Sequence, residues 1–428
     1  MNSSLQGTTM KKILPGLAAA VSAILLFPAA ACGAPQVACD PDNGGLKLPA
    51  GFCALVAAND LGEARHAAAA SNGDLYVALR NGGVAALHDA NGDGRFEVVE
   101  HFGNGSVTGI AIHNGYLWLA KVNSVERYKL TPGQLKPSGT PEVVVSGLAG
   151  GREHGDKDIV FDGNGSLYVN VGAPSNDCQV HDRTKESPGQ DPCPLLDEYG
   201  GIWKFSDRKL GQKQAEGVRY ATGLRQVLAM AWHDGALYIV MNNRDQLDTL
   251  WPGKFTAQEN ATRPAEPMYR VAQGDNFGWP YCYYDYTEKK LLLNPEYGGD
   301  GTKVGRCSQY QLPTTSFPAH WAPLDLMFYT GSQFPARYRN GAFIAFHGSW
   351  NRGPLPQAPS NVTFQPFQAG QPSGNFMVFA SGFAGKSPLV NPDDALARAD
   401  GLAQAPDGSL YITDSQKGKV WRVLYRGK

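Results

Sequence analysis

Asn72-Gly73-Asp74-Leu75-Tyr76-Val77 decides the reading of the fold, because this short stretch comes back along the chain. It returns as Asn114-Gly115-Tyr116-Leu117-Trp118-Leu119, Asn164-Gly165-Ser166-Leu167-Tyr168-Val169, Asp234-Gly235-Ala236-Leu237-Tyr238-Ile239 and Asp407-Gly408-Ser409-Leu410-Tyr411-Ile412. A degenerate copy stands at Asn340-Gly341-Ala342-Phe343-Ile344-Ala345. Asn-Gly and Asp-Gly supply the positive φ angles of a two-residue hairpin turn. A second apolar strand precedes the turn, as in Val107-Thr108-Gly109-Ile110-Ala111-Ile112. Each copy therefore predicts a hairpin, the inner half of a four-stranded blade, with its second strand buried on both faces. Between the anchors Leu75, Leu117, Leu167, Leu237, Phe343 and Leu410 the spacings are 42, 50, 70, 106 and 67 residues. The shortest equals one bare blade of about 40–50 residues. The longer ones imply insertions over 174–200, 242–320 and 350–380, which a propeller places as loops around its central channel. The expected fold is an all-β, six-bladed β-propeller, closed by Phe52 to Ala57 beside Val420-Trp421-Arg422-Val423.

Composition agrees. Fifty-one glycines, 29 prolines and 10% aromatic residues suit many short strands joined by tight turns. A net charge of −1, with lysines and arginines scattered, argues against a nucleic-acid partner. Met10-Lys11-Lys12, the apolar run Ile13 to Phe27 and Ala29-Ala30-Ala31-Cys32 read as a signal peptide over 1–31. Residues 32–47 follow as a short linker and 48–428 as the propeller. Export to the periplasm is the expectation. Cys32 stands where a lipoprotein signal places its lipidated cysteine, but Ala29 stands where such signals favour leucine. A lipid anchor and an ordinary cleavage both stay open. The other six cysteines fall into neighbouring pairs, 39 with 53, 178 with 193 and 282 with 307. This is one of fifteen arrangements. Each such bridge would be worth about 3 kcal/mol.

Several chemistries find no support. There is no GxSxG elbow. Gly382-Phe383-Ala384-Gly385-Lys386-Ser387 resembles a P-loop, but Ala380 stands where the first glycine is needed. The nine histidines form no HExxH motif and there is no Cys-x-x-Cys. Asp89, Asn91 and Asp93 open a formally complete calcium loop that runs to Glu100, yet its flanks read as strands, so a hairpin turn explains it equally. Arg152-Glu153-His154-Gly155-Asp156 precedes the third copy, where His154 is a candidate general base at the channel rim. Arg225 and Arg398 are read at the same position before the fourth and sixth copies, and His347-Gly348-Ser349-Trp350-Asn351-Arg352 follows the fifth. Three arginines and a histidine on one axis would suit a small polyanion, because guanidinium binds carboxylates bidentately. Arginine is also common at blade rims.

The stretches His320-Trp321-Ala322-Pro323-Leu324, Phe334-Pro335-Ala336-Arg337-Tyr338-Arg339 and His347 to Arg352 resemble the sorbosone dehydrogenase branch of the glucose/sorbosone dehydrogenase family. Asn276-Phe277-Gly278-Trp279-Pro280-Tyr281 and Leu48-Pro49-Ala50-Gly51-Phe52 extend the likeness over roughly 48–425. The resemblance implies a periplasmic six-bladed quinoprotein that uses pyrroloquinoline quinone and calcium to oxidise a sugar or sugar aldehyde. It implies His154 as general base and Arg225 near the quinone oxygen. It implies Arg352 and Arg398 on the cofactor carboxylates, with His347 and Asn351 beside them. The loop Asn242-Asn243-Arg244-Asp245 would carry calcium, through Asn243 and Asp245. An electron acceptor of the respiratory chain is the implied partner, and the membrane is reached only through an anchor at Cys32. The sequence departs from the pattern at Gln226, where asparagine is usual. It departs again at Ala173, where the soluble glucose dehydrogenase branch has an aspartate partner for its histidine; Asp156 or Asp158 are candidate substitutes. A calcium-dependent lactonase-like hydrolase and a non-catalytic carbohydrate- or protein-binding propeller are the competing readings.

Overall fold

The computed structural model describes residues 7–12, 37–151 and 153–427. The chain divides into two compact units, Met1–Gln36 and Val37–Lys428. Apart from 7–12, the signal peptide over 1–31 and Cys32 lie outside the described residues, as does Arg152.

Within the second unit, six blades of four antiparallel strands follow one another, starting at Ala64, Val107, Ile159, Gln226, Pro323 and Ala399, and the second and third blades each gain a two-residue parallel fifth strand. Each copy of the repeat supplies the second strand of its blade: Leu75–Leu79, Tyr116–Lys121, Ser166–Val171, Ala236–Asn242, Ala342–Phe346 and Leu410–Asp414. Side chains alternate between the two faces of a strand, and here each face meets a neighbouring blade. Leu117 and Leu119 pack with Tyr76 and Ala78 of the first blade. Trp118 and Ala120 pack with Leu167 and Val169 of the third. Full burial of such a side chain is worth about 1.5–3 kcal/mol, so apolar residues are favoured at every position of these strands.

The ring closes as the sequence suggests. Phe52–Ala58 pairs with Val420–Tyr425 from Phe52↔Tyr425 to Ala58↔Val420, so the N-terminal strand completes the last blade. The neighbouring cysteines are joined as Cys39–Cys53, Cys178–Cys193 and Cys282–Cys307. The 106-residue gap holds no seventh blade among the described residues. It holds the short helices Leu247–Leu250 and Ala257–Thr262 and a hairpin of Cys282–Asp285 with Lys290–Leu293.

Two expectations need correction. Only Asn114-Gly115 and Asp234-Gly235 form two-residue turns with both φ angles positive, closed by His113↔Tyr116 and His233↔Ala236. The other turns are longer, and side-chain oxygens brace them instead, as where Ser409 N donates to Asp407 Oδ1 at 3.0 Å. The stretch 37–47 is also part of the propeller body rather than a linker. Asp40 N donates to Ala54 O at 2.9 Å, the Asp40 carboxylate accepts from Val56 N at 2.8 Å, and Leu46 is buried. The Cys39–Cys53 bridge fastens this stretch to the closing strand.

Strand direction then fixes where function sits. The repeat turns join the first and second strands at one end of the ring. Loops between second and third strands, and the crossings from one blade to the next, emerge at the other end. The insertions after Val171, Asn242 and Phe346 all leave from second strands, so they gather at that end.

Candidate active site

Register decides which side chains reach the axis. In five of the six blades the first strand carries a one-residue bulge, as between Ala64↔Leu79 and Ala67↔Val77. Bulges re-aim side chains. Just past the bulge position, His66 of the first blade reaches across the axis. Its Nδ1 lies 3.2 Å from Asp158 Oδ1 and its Nε2 lies 2.8 Å from Leu324 O. Both partners can only accept, so both ring nitrogens carry hydrogen and the ring is an imidazolium. Burial opposes that charge, but Asp325 and Asp158 outweigh it and push the His66 pKa up to about 10. Gly109 and Gly401 stand at the same register in the second and sixth blades. A Cβ on Gly401 would lie 2.6 Å from Arg65 O and His66 Cα, and one on Gly109 2.8 Å from Asp158 Cα. Glycine there is what lets the axial group close up.

Beside this plug, Arg65 holds Asp400 at 2.7 Å. Both line a cavity of about 430 Å³, within the usual range for small-molecule sites. His154, Arg225, Asn243, Asp245, His347 and Asn351, six of the residues singled out from sequence, line the same cavity.

His154 has a left-handed backbone, φ 52. Its Nδ1 is 2.6 Å from Ala173 O. A carbonyl accepts only, so Nδ1 carries the hydrogen and Nε2 is left bare. Burial, then the Arg225 charge, brings the imidazole pKa down to about 3. The backbone carbonyl of Ala173 thus does the orienting work for which an aspartate was sought. Asp158 is instead engaged with His66 and with Ile159 N.

Arg225 is almost wholly buried. Its Nη2 donates to Asp245 Oδ2 at 2.7 Å and to Asn176 Oδ1 at 2.9 Å, and its Nε donates to Asn176 O at 3.2 Å. Its Nη1 has no acceptor among the described residues. Asp245 also accepts from Arg183 Nη2 at 3.2 Å and Asn351 Nδ2 at 2.6 Å. Burial resists the Asp245 charge, yet Arg225 and Arg183 hold its carboxyl well below the ordinary range. Glu266 lies alongside, accepting from Asn243 N at 2.9 Å and Ala322 N at 3.2 Å; burial raises its pKa to about 8.

The ring of three arginines does not assemble as expected. Ile159, Met230 and Asp325 share one register, facing Val169, Ile239 and Ala345. Five residues before them stand His154, Arg225 and His320. Arg398 stands only four before Leu402, the equivalent residue in the sixth blade. That offset turns it off the cavity wall: its Nη2 donates to Pro392 O at 2.9 Å and its Nη1 lies 3.3 Å from His347 Nδ1. Arg352 is likewise absent from the wall. Arg65 and Arg80 of the first blade supply the remaining guanidinium groups, and His320 and Glu266 complete the polar lining. Only His320 left a signal in the sequence, as the first residue of a stretch that carries the family resemblance; its register is hidden by the long turn before Phe343.

The chain matches the TrAA12-like family over residues 46–426. It belongs to that family. As a TrAA12-like chain it is 18% identical to a Trichoderma reesei structure described as the calcium structure of carbohydrate-active enzyme family AA12. That match has a TM-score of 0.73 and covers 92% of this chain and 99% of that one. The holo form of the pyranose dehydrogenase PQQ domain from Coprinopsis cinerea gives TM-score 0.70 at 19% identity, over 92% and 99% of the two chains. In sequence, the TrAA12-like chain is 31% identical over 207 residues to an uncharacterised protein of Borreliella burgdorferi, covering 48% of each. It is 26% identical over 260 residues to the pyrroloquinoline quinone-dependent pyranose dehydrogenase of Coprinopsis cinerea, covering 55% of this chain and 32% of that protein. The chain thus spans a half or less of the curated relatives it matches.

Two places in this TrAA12-like propeller were expected to take calcium. At the first, the Asp245 carboxylate accepts from Arg225, Arg183 and Asn351. The side chain of Asn243 is spent on Ala265 O, Tyr284 O and Arg244 N. Oδ1 of Asp245 keeps a lone pair, but two guanidinium groups already neutralise the carboxylate, so this pair is a poor fit for a cation. At the second, Asp89, Asp93 and Glu97 bring ligand atoms within 4.8 Å of one another, while Asn91 Nδ2 donates to Glu97. This is an exposed turn between the outer strands Gly83–His88 and Val98–Phe102.

Proposed function

We propose that this chain is an exported quinoprotein oxidoreductase that oxidises a sugar or sugar aldehyde with pyrroloquinoline quinone in the periplasm. A respiratory carrier would take the electrons, with Cys32 as the candidate position for a lipid anchor. The observation that carries this reading is the neutral, tautomer-locked His154 beside Arg225 in one cavity. The relatives add support, since one is named for this cofactor and for pyranose oxidation. The wall fits an acidic quinone: Arg65, Arg80 and Arg225 line it, and Arg225 keeps Nη1 unengaged.

Pyrroloquinoline quinone, when bound, supplies a two-electron acceptor for hydride. Nε2 of His154 takes the proton of the substrate hydroxyl, or of an aldehyde hydrate, as hydride leaves the same carbon. Ala173 O steadies the imidazolium that forms, through Nδ1–H. Arg225 holds its donors where negative charge builds up on oxygen, in a site sheltered from water. Asp245 fixes the guanidinium from behind. Calcium belongs to the reading through the AA12 likeness alone, and no step is derived through it.

A hydrolase reading draws on the carboxylates Glu63, Asp156, Asp245, Glu266 and Asp400, all on the wall. Asp245 and Asp400 are locked to arginines, however, and Glu266 is held protonated by burial. The deciding experiment mixes purified protein with the quinone and calcium chloride. Calorimetry follows binding, and dye reduction follows turnover with a panel of aldoses. No binding of the quinone would overturn the reading; lactone hydrolysis without it would favour the alternative.

A further inference from the structure

His154 has a counterpart. His320 stands at the same register of the fifth blade, five residues before Asp325 as His154 is before Ile159. Both residues have left-handed backbone, φ 52 and φ 60. Non-glycine residues enter that region at a cost and cluster in functional sites when they do. Both are on the cavity wall. Each spends one ring nitrogen on a backbone carbonyl: His154 Nδ1 on Ala173 O at 2.6 Å, His320 Nε2 on Asn260 O at 2.7 Å. A carbonyl accepts only, so Nε2 of His320 carries its hydrogen and Nδ1 of the neutral ring is bare. Burial disfavours a charged ring at this position. Asp245 Oδ1, another acceptor, lies 4.0 Å from Nδ1. The wall therefore presents a buried acceptor with no protein donor among the described residues.

We propose that His320 is a specificity-determining residue: its bare Nδ1 accepts a hydrogen bond from a second hydroxyl of the sugar whose reacting hydroxyl meets His154. The inference rests on reading the cavity as a sugar-oxidising site. A sugar is the natural occupant because its hydroxyls donate. An acidic quinone presents chiefly carboxylate and carbonyl oxygens, which a bare lone pair repels. Two bare nitrogens on equivalent blade positions divide the work, one removing a proton and one reading the hydroxyl pattern.

The test uses the protein reconstituted with pyrroloquinoline quinone and calcium chloride. The aldose turned over best is compared with its monodeoxy analogues in the wild type and in His320→Asn and His320→Ala. Asparagine tolerates the left-handed backbone and its Oδ1 can still accept, so the first variant controls for backbone strain, while alanine removes the acceptor. In the wild type one analogue is expected to lose about tenfold or more in kcat/KM, the worth of one hydrogen bond at a buried site. In His320→Ala the parent sugar should fall to the level of that analogue, and His320→Asn, which keeps an acceptor, should recover part of the loss. Affinity for the quinone, read by calorimetry, should be unchanged. Discrimination that survives in His320→Ala overturns the proposal while leaving the oxidoreductase reading in place. So does a loss of quinone affinity, which would put the cofactor against His320. Failure of the wild type to bind the quinone overturns the parent reading, and this inference with it.

Discussion

Arg225 Nη2 and Asp245 Oδ2 lie 2.7 Å apart, and both side chains are largely out of water. Asp245 is the carboxylate on which Arg225, Arg183 and Asn351 converge, so it ties the fourth blade to two insertions. Removing one partner of a buried pair leaves a charge without compensation and costs about 3–5 kcal/mol. Asp245→Asn keeps the shape and removes the charge. We expect a clear fall in melting temperature and a loss of turnover of more than about tenfold, since Arg225 is no longer held. An unchanged melting curve would mean that water or a neighbour takes the place of the carboxylate.

The repeat made the ring and its closure legible, because each copy pairs a turn with a strand that must be buried on both faces. The site was legible in part. His154, Arg225 and Arg398 could all be placed near the rim from their distance to the next copy, but that distance does not say which of them reaches the cavity. Arg398 does not, since a shift of one residue before Leu402 sends its guanidinium to Pro392 instead. Bulges carry no sequence signal of their own. Nor does a backbone acceptor: Ala173 reads as a missing aspartate, yet its carbonyl serves His154. Glu266 and Arg80 sit at ordinary strand ends and are brought to the wall by blade packing alone.

The protonation state of His154 sets a pH profile. Its pKa lies near 3, lowered by burial and by Arg225, so the base stays unprotonated across the neutral and mildly acid range. Dye-coupled kcat/KM should show no inflection near the ordinary histidine value of about 6.5. His154→Ala should abolish turnover and leave quinone binding intact. An inflection near the ordinary value of about 6.5 in the wild-type profile would mean the ring is more hydrated than its surroundings suggest.

Stability should depend on pH in two directions. The folded pKa of His66 is raised to about 10, so its contribution is complete below the unfolded value of about 6.5 and is lost as pH climbs through 10. For His154 and His347, lowered to about 3, the unfolded chain binds protons that the folded one does not once pH drops below about 6.5. Each such group changes stability by about 1.4 kcal/mol per pH unit inside its window. Denaturant unfolding over roughly pH 4 to 10 should therefore give a maximum near neutrality. His66→Gln should lower the curve and flatten its alkaline side. An alkaline side that keeps its slope in that variant would exclude His66 as the source.

The same plug can be tested by volume alone. Gly401 carries no positive φ, so its requirement is steric: a Cβ would sit 2.6 Å from Arg65 O and His66 Cα and 2.9 Å from Thr413 Oγ1. Two of those contacts are with the first blade, and Arg65 is on the cavity wall. Gly401→Ala must then push the sixth blade away from the first. Overpacking of this kind costs about 1–3 kcal/mol. Gly253→Ala is the control, because a Cβ there meets nothing within 4 Å. Loss of glycine's unfolded-state freedom should leave that variant unchanged or slightly more stable. We expect Gly401→Ala to melt earlier and to bind the quinone more weakly, because the displaced Arg65 moves with its blade. Equal stability of the two variants would show that the blades yield at the axis, and that the close approach there is not what sets the geometry of the cavity.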